Sequence, residues 1–306
     1  MSLCTDRPTP RIAGCLQGCL LALALTACAG AAEAGASGKP LLWEVKSSSS
    51  SVYVLGSMHV ATPDFYPLAK PVEDAYRNSD ELVVEVDVTD QVAMAKSIPL
   101  LTYAPPDSLD KHLSPEVWKE VEAESTREKQ DIATLKPLKP AMLASVLIVD
   151  TLTKHGYDPQ AGVDMHFLSS AHADNKRIVE LESAEFQAGV LGGLTDEEGS
   201  AMLGDTLEEM RTGELVRSTD ELAAAWKAGD EESIGRLLRE ANKDPASKKI
   251  FAKLFDERNP GMADKIAALA SERGHALVVI GAGHLTGDNN VLDLLKARGL
   301  QVRRLP

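Results

Sequence analysis

Two histidines stand at the ends of two apolar runs, and each follows a glycine by three residues. Residues 52–60 read VYVLGSMHV and residues 276–285 read ALVVIGAGHL, so His59 follows Gly56 and His284 follows Gly281. An apolar, β-branched run stopped by glycine predicts a buried strand, and α/β proteins gather ligand groups just past the carboxyl ends of such strands. Glycine lets the backbone turn sharply off the strand and leaves room beside the imidazole. If the two strands are neighbours in one sheet, the rings converge within reach of a single metal ion. A third group is Glu85, set in the run LVVEV at 82–86. A carboxylate in so apolar a run requires a cation, a metal or a proton, because an unpaired buried charge is costly. Two imidazoles and a carboxylate suit a divalent transition ion with positions left open for water and substrate. Such an ion polarises a carbonyl and acidifies its bound water, which is the chemistry of metal-assisted hydrolysis.

Other polar residues carry two readings each. Arg258, in the segment DERN at 256–259, reads as a surface helix residue, as the salt-bridge partner of Glu85, or as a group for a substrate carboxylate or an oxyanion. Glu182, after the strand at 177–181, is either a ligand or general base, or a first-turn residue favoured by the helix dipole. Asp164, in GVD at 162–164, is expected near a helix start, where a carboxylate caps free N–H groups. His112, His155, His166, His172 and His275 lack strand-end placement and read as surface or structural residues. The chain has no His-Glu-x-x-His helix and no Gly-x-Ser-x-Gly elbow, and Ser57 has no nucleophile context. The stretch GAGHLTG at 281–287 is one residue too long for a dinucleotide fingerprint, and the strand after it has no acidic residue for a ribose.

The elements that must position these groups follow from the same patterning. Strands are expected at 41–46 and 52–56, joined as a hairpin through a serine run, and at 82–86, 177–181, 276–282 and 301–305. The strand of Glu85 is expected to pair near 52–56. Residues 90–158 read as largely helical, broken by prolines, and 196–273 as a charged helical subdomain. A lone C-terminal strand–helix–strand unit cannot bury its own faces. The expected architecture is therefore one α/β domain over 41–306, whose central mixed sheet is built from both ends of the chain, with helical insertions at about 90–160 and 196–273.

Composition bounds the function. Of 306 residues 44% are hydrophobic but only 4% aromatic, which predicts a sizeable aliphatic core. Thirty-two Lys and Arg against 46 Asp and Glu give a net charge of -14, which argues against nucleic acid or an anionic membrane surface as partner. Arg7 and Arg11 precede an apolar stretch at 12–24, the pattern of an export signal. The box LTAC at 25–28 predicts a lipoprotein-type signal peptide over 1–27, acylation of Cys28 and a flexible tether over 28–40; ordinary signal-peptidase cleavage between 27 and 36 is the plainer alternative. All four cysteines, Cys4, Cys15, Cys19 and Cys28, lie at or before that point, so the mature domain has no disulfide and no thiol nucleophile. An exported, periplasmic, membrane-anchored lipoprotein of a bacterium is the expectation.

Taken together, LLWEVK, VYVLGSMHV, ELVVEVDV, GVDMHF, IVELESAEFQ, DERNPGMADKI and VVIGAGHLTGDNNVLDLLKARGLQVRRL resemble the TraB/GumN family, related to the Tiki-type metalloproteases. The resemblance covers nearly all of the mature chain and is weakest at 90–158. It implies an α/β core shared with erythromycin esterase-like and haem-binding ChaN-like proteins. It also implies a metal-dependent hydrolase site of His59, Glu85 and His284, supported by Arg258 and Asn259. Tiki-type members are membrane-tethered peptidases that use manganese or cobalt. The expected function is accordingly a lipid-anchored metal-dependent hydrolase of peptide or protein substrates. Manganese, cobalt or zinc would sit on His59, His284 and Glu85, Glu85 alternatively serving as base, and Arg258 would steady charge. The alternatives are a lipoprotein that binds haem or another metal complex without turnover, and a scaffold whose segment 196–273 binds a protein partner.

Overall fold

A computed structural model describes residues 39–46, 51–242, 244–272 and 274–306. The expected signal peptide, Cys28, nearly all of the tether and the tip of the first hairpin lie outside the described residues. Six strands form one sheet: β1 (Leu42–Lys46), β2 (Ser51–Ser57), β3 (Glu81–Val84), β4 (Arg177–Glu180), β5 (His275–Gly281) and β6 (Gln301–Arg304), in the order β4-β3-β5-β2-β1-β6. β4, β3, β5 and β2 run parallel, while β1 pairs antiparallel with both β2 and β6. The sheet is thus mixed and drawn from both ends of the chain.

β5 occupies the centre because its residues Leu277 to Ile280 are apolar on both faces and fully buried, the signature of a strand covered on both sides. Val278 pairs with Val54 on one side and with Val83 on the other. The strand of Glu85 therefore neighbours β5 and not β2, contrary to expectation. Apolar strands attract one another without specifying order, and the C-terminal β5 takes the slot between the two N-terminal ones. The register sets Gly56 beside Ile280 and Ser57 beside Gly281, so the two Gly-x-x-His turns leave the sheet side by side. Such a junction, where a later strand is inserted between earlier parallel ones, is where open α/β sheets form their crevice.

Helices cover the sheet and build a second layer. Met262, Ala263, Ile266 and Ala270 of the helix Asn259–Ser271 join the apolar core of the sheet. Trp226, on the helix Glu214–Ala228, stacks on Phe65 at 5.0 Å, and its indole N–H donates to the Gly56 carbonyl at 2.8 Å, steadying the end of β2. A second apolar cluster holds Leu109, Val121, Leu135, Leu143, Leu147, Leu203 and Leu207. It gathers the helices Pro115–Arg127, Pro140–Lys154 and Asp196–Thr212. Within 196–272 the first helix packs with the earlier insertion and the last against the sheet.

Candidate active site

His59 lies two residues beyond β2 with 69% of its side chain exposed. Its partner is Asp164, whose Oδ2 is 2.8 Å from His59 Nδ1, while Asp164 Oδ1 accepts from the Ser57 hydroxyl at 2.8 Å. Asp164 stands in the first turn of the helix Val163–Asp174, yet its side chain makes these bonds rather than the expected cap; the cap position belongs to Gly162. The local sequence explains the docking. A Cβ on Gly162 would collide with the His59 carbonyl, and the Val163 N–H donates to the Met58 carbonyl at 2.9 Å, so Gly162-Val163-Asp164 presses against the first Gly-x-x-His turn. The charge of Asp164 and its bond to the ring raise the pKa of His59 above its ordinary value.

His284 occupies the short 3-10 turn Ala282–Leu285 that follows β5 and is 2% exposed. Its Nδ1 is 2.6 Å from Asn259 Oδ1, while Asn259 Nδ2 donates to the Asn289 carbonyl at 3.0 Å. That second bond fixes which end of the amide faces the ring, so neutral His284 carries its proton on Nδ1 and its lone pair on Nε2. Burial lowers its pKa to about 4, which keeps the ring neutral. The Phe255 ring packs against it at 4.9 Å.

Glu85 follows β3 directly and is 8% exposed. Its Oε1 accepts from the Gly281 N–H at 2.7 Å, and its Oε2 from Arg258 Nη2 at 2.7 Å and Gln187 Nε2 at 3.1 Å. Burial pushes its pKa up, but His284, His59, Arg258 and the Gly281 N–H outweigh this and hold it at about 2. Arg258 also binds Glu182, with Nη2 to Oε2 at 2.6 Å and Nε to both oxygens at 3.1 Å, and Gln187 reaches Glu182 at 2.9 Å. The salt-bridge reading of Arg258 is therefore realised, and the surface-helix reading is not. Glu182 serves as the second carboxylate of this bridge.

The three expected ligands do converge. A Cβ built on Gly281 would lie 3.3 Å from Glu85 Oε1, 3.6 Å from His59 Nε2 and 3.7 Å from His284 Cδ2. His284 Nε2 is 3.7 Å from Glu85 Oε2. The His59 ring nitrogen, the edge of the His284 ring and a Glu85 oxygen border one cradle, and two imidazoles with a carboxylate are residue types that suit a divalent transition ion. The carboxylates Glu85, Glu182 and Asp164 outnumber the cationic groups beside the rings, Arg258 and protonated His59. The donors nevertheless stand apart, and no three His, Cys, Asp or Glu among the described residues are spaced to hold an ion as they stand. Glu85 is drawn towards Arg258 and Gln187 instead.

Sequence reasoning missed Gln187, Asn289 and the role of Ser57. Gln187 lies one turn into the helix Ala184–Gly192, and nothing in its spacing distinguishes it from a surface glutamine. The remaining histidines stay outside the site: His112 bridges Asp107 and Asp196, His172 meets Thr89, and His166 lies against Tyr66.

The TraB/PrgY/gumN family profile matches residues 41–304. Uncharacterized protein YbaP of Escherichia coli (strain K12) is 26% identical over 246 residues, covering 80% of this chain and 87% of that protein. Metalloprotease TIKI2 of Danio rerio is 25% identical over 319 residues, covering 87% of this chain but 61% of its own length. Metalloprotease TIKI1 of Xenopus tropicalis is 22% identical over 321 residues, with 87% of this chain and 61% of that protein covered. No solved structure matches the chain. With a profile match spanning the sheet and every residue of the cradle, the chain belongs to the TraB/PrgY/gumN family.

Proposed function

We propose that the protein is a metal-dependent hydrolase of peptide bonds, in which His59, His284 and Glu85 hold a divalent ion. The observation that carries this reading is the approach of the three side chains to the Gly281 cradle, among the carboxylates Glu85, Glu182 and Asp164. The similarity to proteins named metalloproteases TIKI1 and TIKI2 supports the peptide bond as target. When bound, the ion would polarise the scissile carbonyl and supply a nucleophilic water near neutral pH. The chain's own residues would do the rest. Neutral His284 offers its Nε2 lone pair at any pH above its lowered pKa. Arg258, fixed by Glu182 and by the Leu254 carbonyl at 2.7 Å, remains as a cation for charge developing on the substrate once Glu85 turns to the ion. Glu85, held ionised, is either a ligand or the base for the water.

The test is metal content. The mature protein, purified without chelator and dosed with manganese, cobalt or zinc, should retain close to one ion per chain, and the His59→Ala/His284→Ala variant should retain none while keeping its fold. A metal-free wild type, or equal retention in both, would overturn the proposal. Export and anchoring through a lipid on Cys28 belong to the same proposal and rest on the N-terminal sequence alone. Labelling cells with radioactive palmitate should mark the protein but not Cys28→Ala.

A further inference from the structure

The two Gly-x-x-His turns differ at the residue after glycine: Ser57 in the first, Ala282 in the second. Ser57 is 2% exposed and its hydroxyl donates to Asp164 Oδ1, the carboxylate oxygen not engaged by His59. The second turn needs no such hydroxyl, because the amide that serves His284 is already oriented by the Asn289 carbonyl. We propose that Asp164 and Ser57 are the positioning residues of His59: Ser57 fixes Asp164, and Asp164 keeps the proton of the neutral ring on Nδ1, leaving the Nε2 lone pair for the Gly281 cradle. The assignment rests on the reading of His59 as a ligand.

The arrangement has a consequence that a simple packing role lacks. In Asp164→Asn, the Ser57 hydroxyl remains a donor to residue 164, as it is in the wild type, when the amide oxygen takes the place of Oδ1. The NH2 group then faces His59 Nδ1 as a donor, so the ring proton moves to Nε2 and the lone pair is lost. Without Ser57 the amide is free to turn and accept from Nδ1–H again. Removal of the serine should therefore repair the asparagine variant.

Cobalt(II) titration followed by d–d absorption is the test, with circular dichroism confirming the fold. Asp164→Asn should bind cobalt about 10- to 100-fold more weakly than wild type. Ser57→Ala should lose less, and Ser57→Ala/Asp164→Asn should bind more tightly than Asp164→Asn alone. Long-range 15N–1H spectra of the metal-free protein, at a pH alkaline enough for neutral rings and assigned with His59→Gln, read the tautomer without any ion. They should show Nδ1–H in wild type and Nε2–H in Asp164→Asn. The same tautomer in both proteins, or undiminished cobalt affinity in Asp164→Asn, would overturn the role of Asp164. A double variant no better than Asp164→Asn would overturn that of Ser57. If wild type binds neither cobalt, manganese nor zinc, the hydrolase proposal fails, and the spectra alone decide this one.

Discussion

Gly281 contributes to the site by what it lacks. Its N–H donates to Glu85, and the volume a side chain would fill is the volume shared by the three expected ligands. An added methyl group would crowd Glu85 Oε1 and touch His59 Nε2, while its backbone φ of -51° accepts alanine without strain. Gly281→Ala should accordingly weaken divalent-ion binding by at least about tenfold, read by equilibrium dialysis, yet shift stability by less than about 1 kcal/mol. Loss of the fold in this variant would instead make Gly281 a packing residue. At this scale His59, His284 and Glu85 were legible because each puts a rare residue type at the end of an unusually apolar run. Asp164 was found but misread, since a carboxylate near a helix start has two uses and only the neighbouring turn chooses between them.

Elements were legible where periodicity is strong and illegible where neighbours decide. The hairpin of β1 and β2, the apolar helix Pro140–Lys154 and the buried β5 follow from local pattern. Insertion of β5 between β2 and β3 does not, because strand order depends on contacts more than a hundred residues apart. The junction of the two insertions was likewise hidden, and it rests on a histidine set aside as structural. His112 stacks on Tyr103 at 4.2 Å, and its two nitrogens meet Asp196 at 2.9 Å and Asp107 at 2.9 Å, tying the loop before Pro115–Arg127 to the start of Asp196–Thr212. Two carboxylate acceptors on one ring favour the imidazolium. Burial lowers the pKa of His112, but the two carboxylates outweigh it and the net shift is upward from 6.5. Asp107, bonded to His112, is shifted downward. A raised histidine pKa contributes stability in full below the unfolded value and loses it as pH rises through the folded one. His112→Gln should therefore destabilise the protein more at about pH 6 than at about pH 9, as read by urea midpoints at both. An equal cost at both pH values would mean that His112 contributes to the junction by ring stacking and not by its charge.

On the scale of the molecule the two apolar clusters divide the labour. The sheet cluster carries β2, β3 and β5, whose ends present the site, whereas the second cluster joins helices drawn from both insertions. Met210 packs against both, and the helix Pro140–Lys154 sends Leu143 and Leu147 to the second cluster and Leu152 to the first. A polar link also joins the site to the helical layer: Lys253, on the segment leading to Arg258, pairs with Glu198 at 2.5 Å. This predicts an asymmetry. Leu143 is fully buried at the heart of the second cluster, and Leu143→Ala should cost about 2–5 kcal/mol through the cavity it leaves. Because none of the three expected ligands is held by that cluster, the folded fraction of the variant should still bind one divalent ion with nearly wild-type affinity. Val278→Ala removes less side chain, but it does so from the strand that pairs with both β2 and β3. Its smaller loss of stability should come with a larger loss of ion affinity, since a shift of β5 moves Gly281 and His284 relative to Glu85 and His59. Urea denaturation and cobalt titration of the two variants measure both quantities. If Leu143→Ala weakened binding as much as Val278→Ala, the helical layer would be holding the site and would not merely cover it.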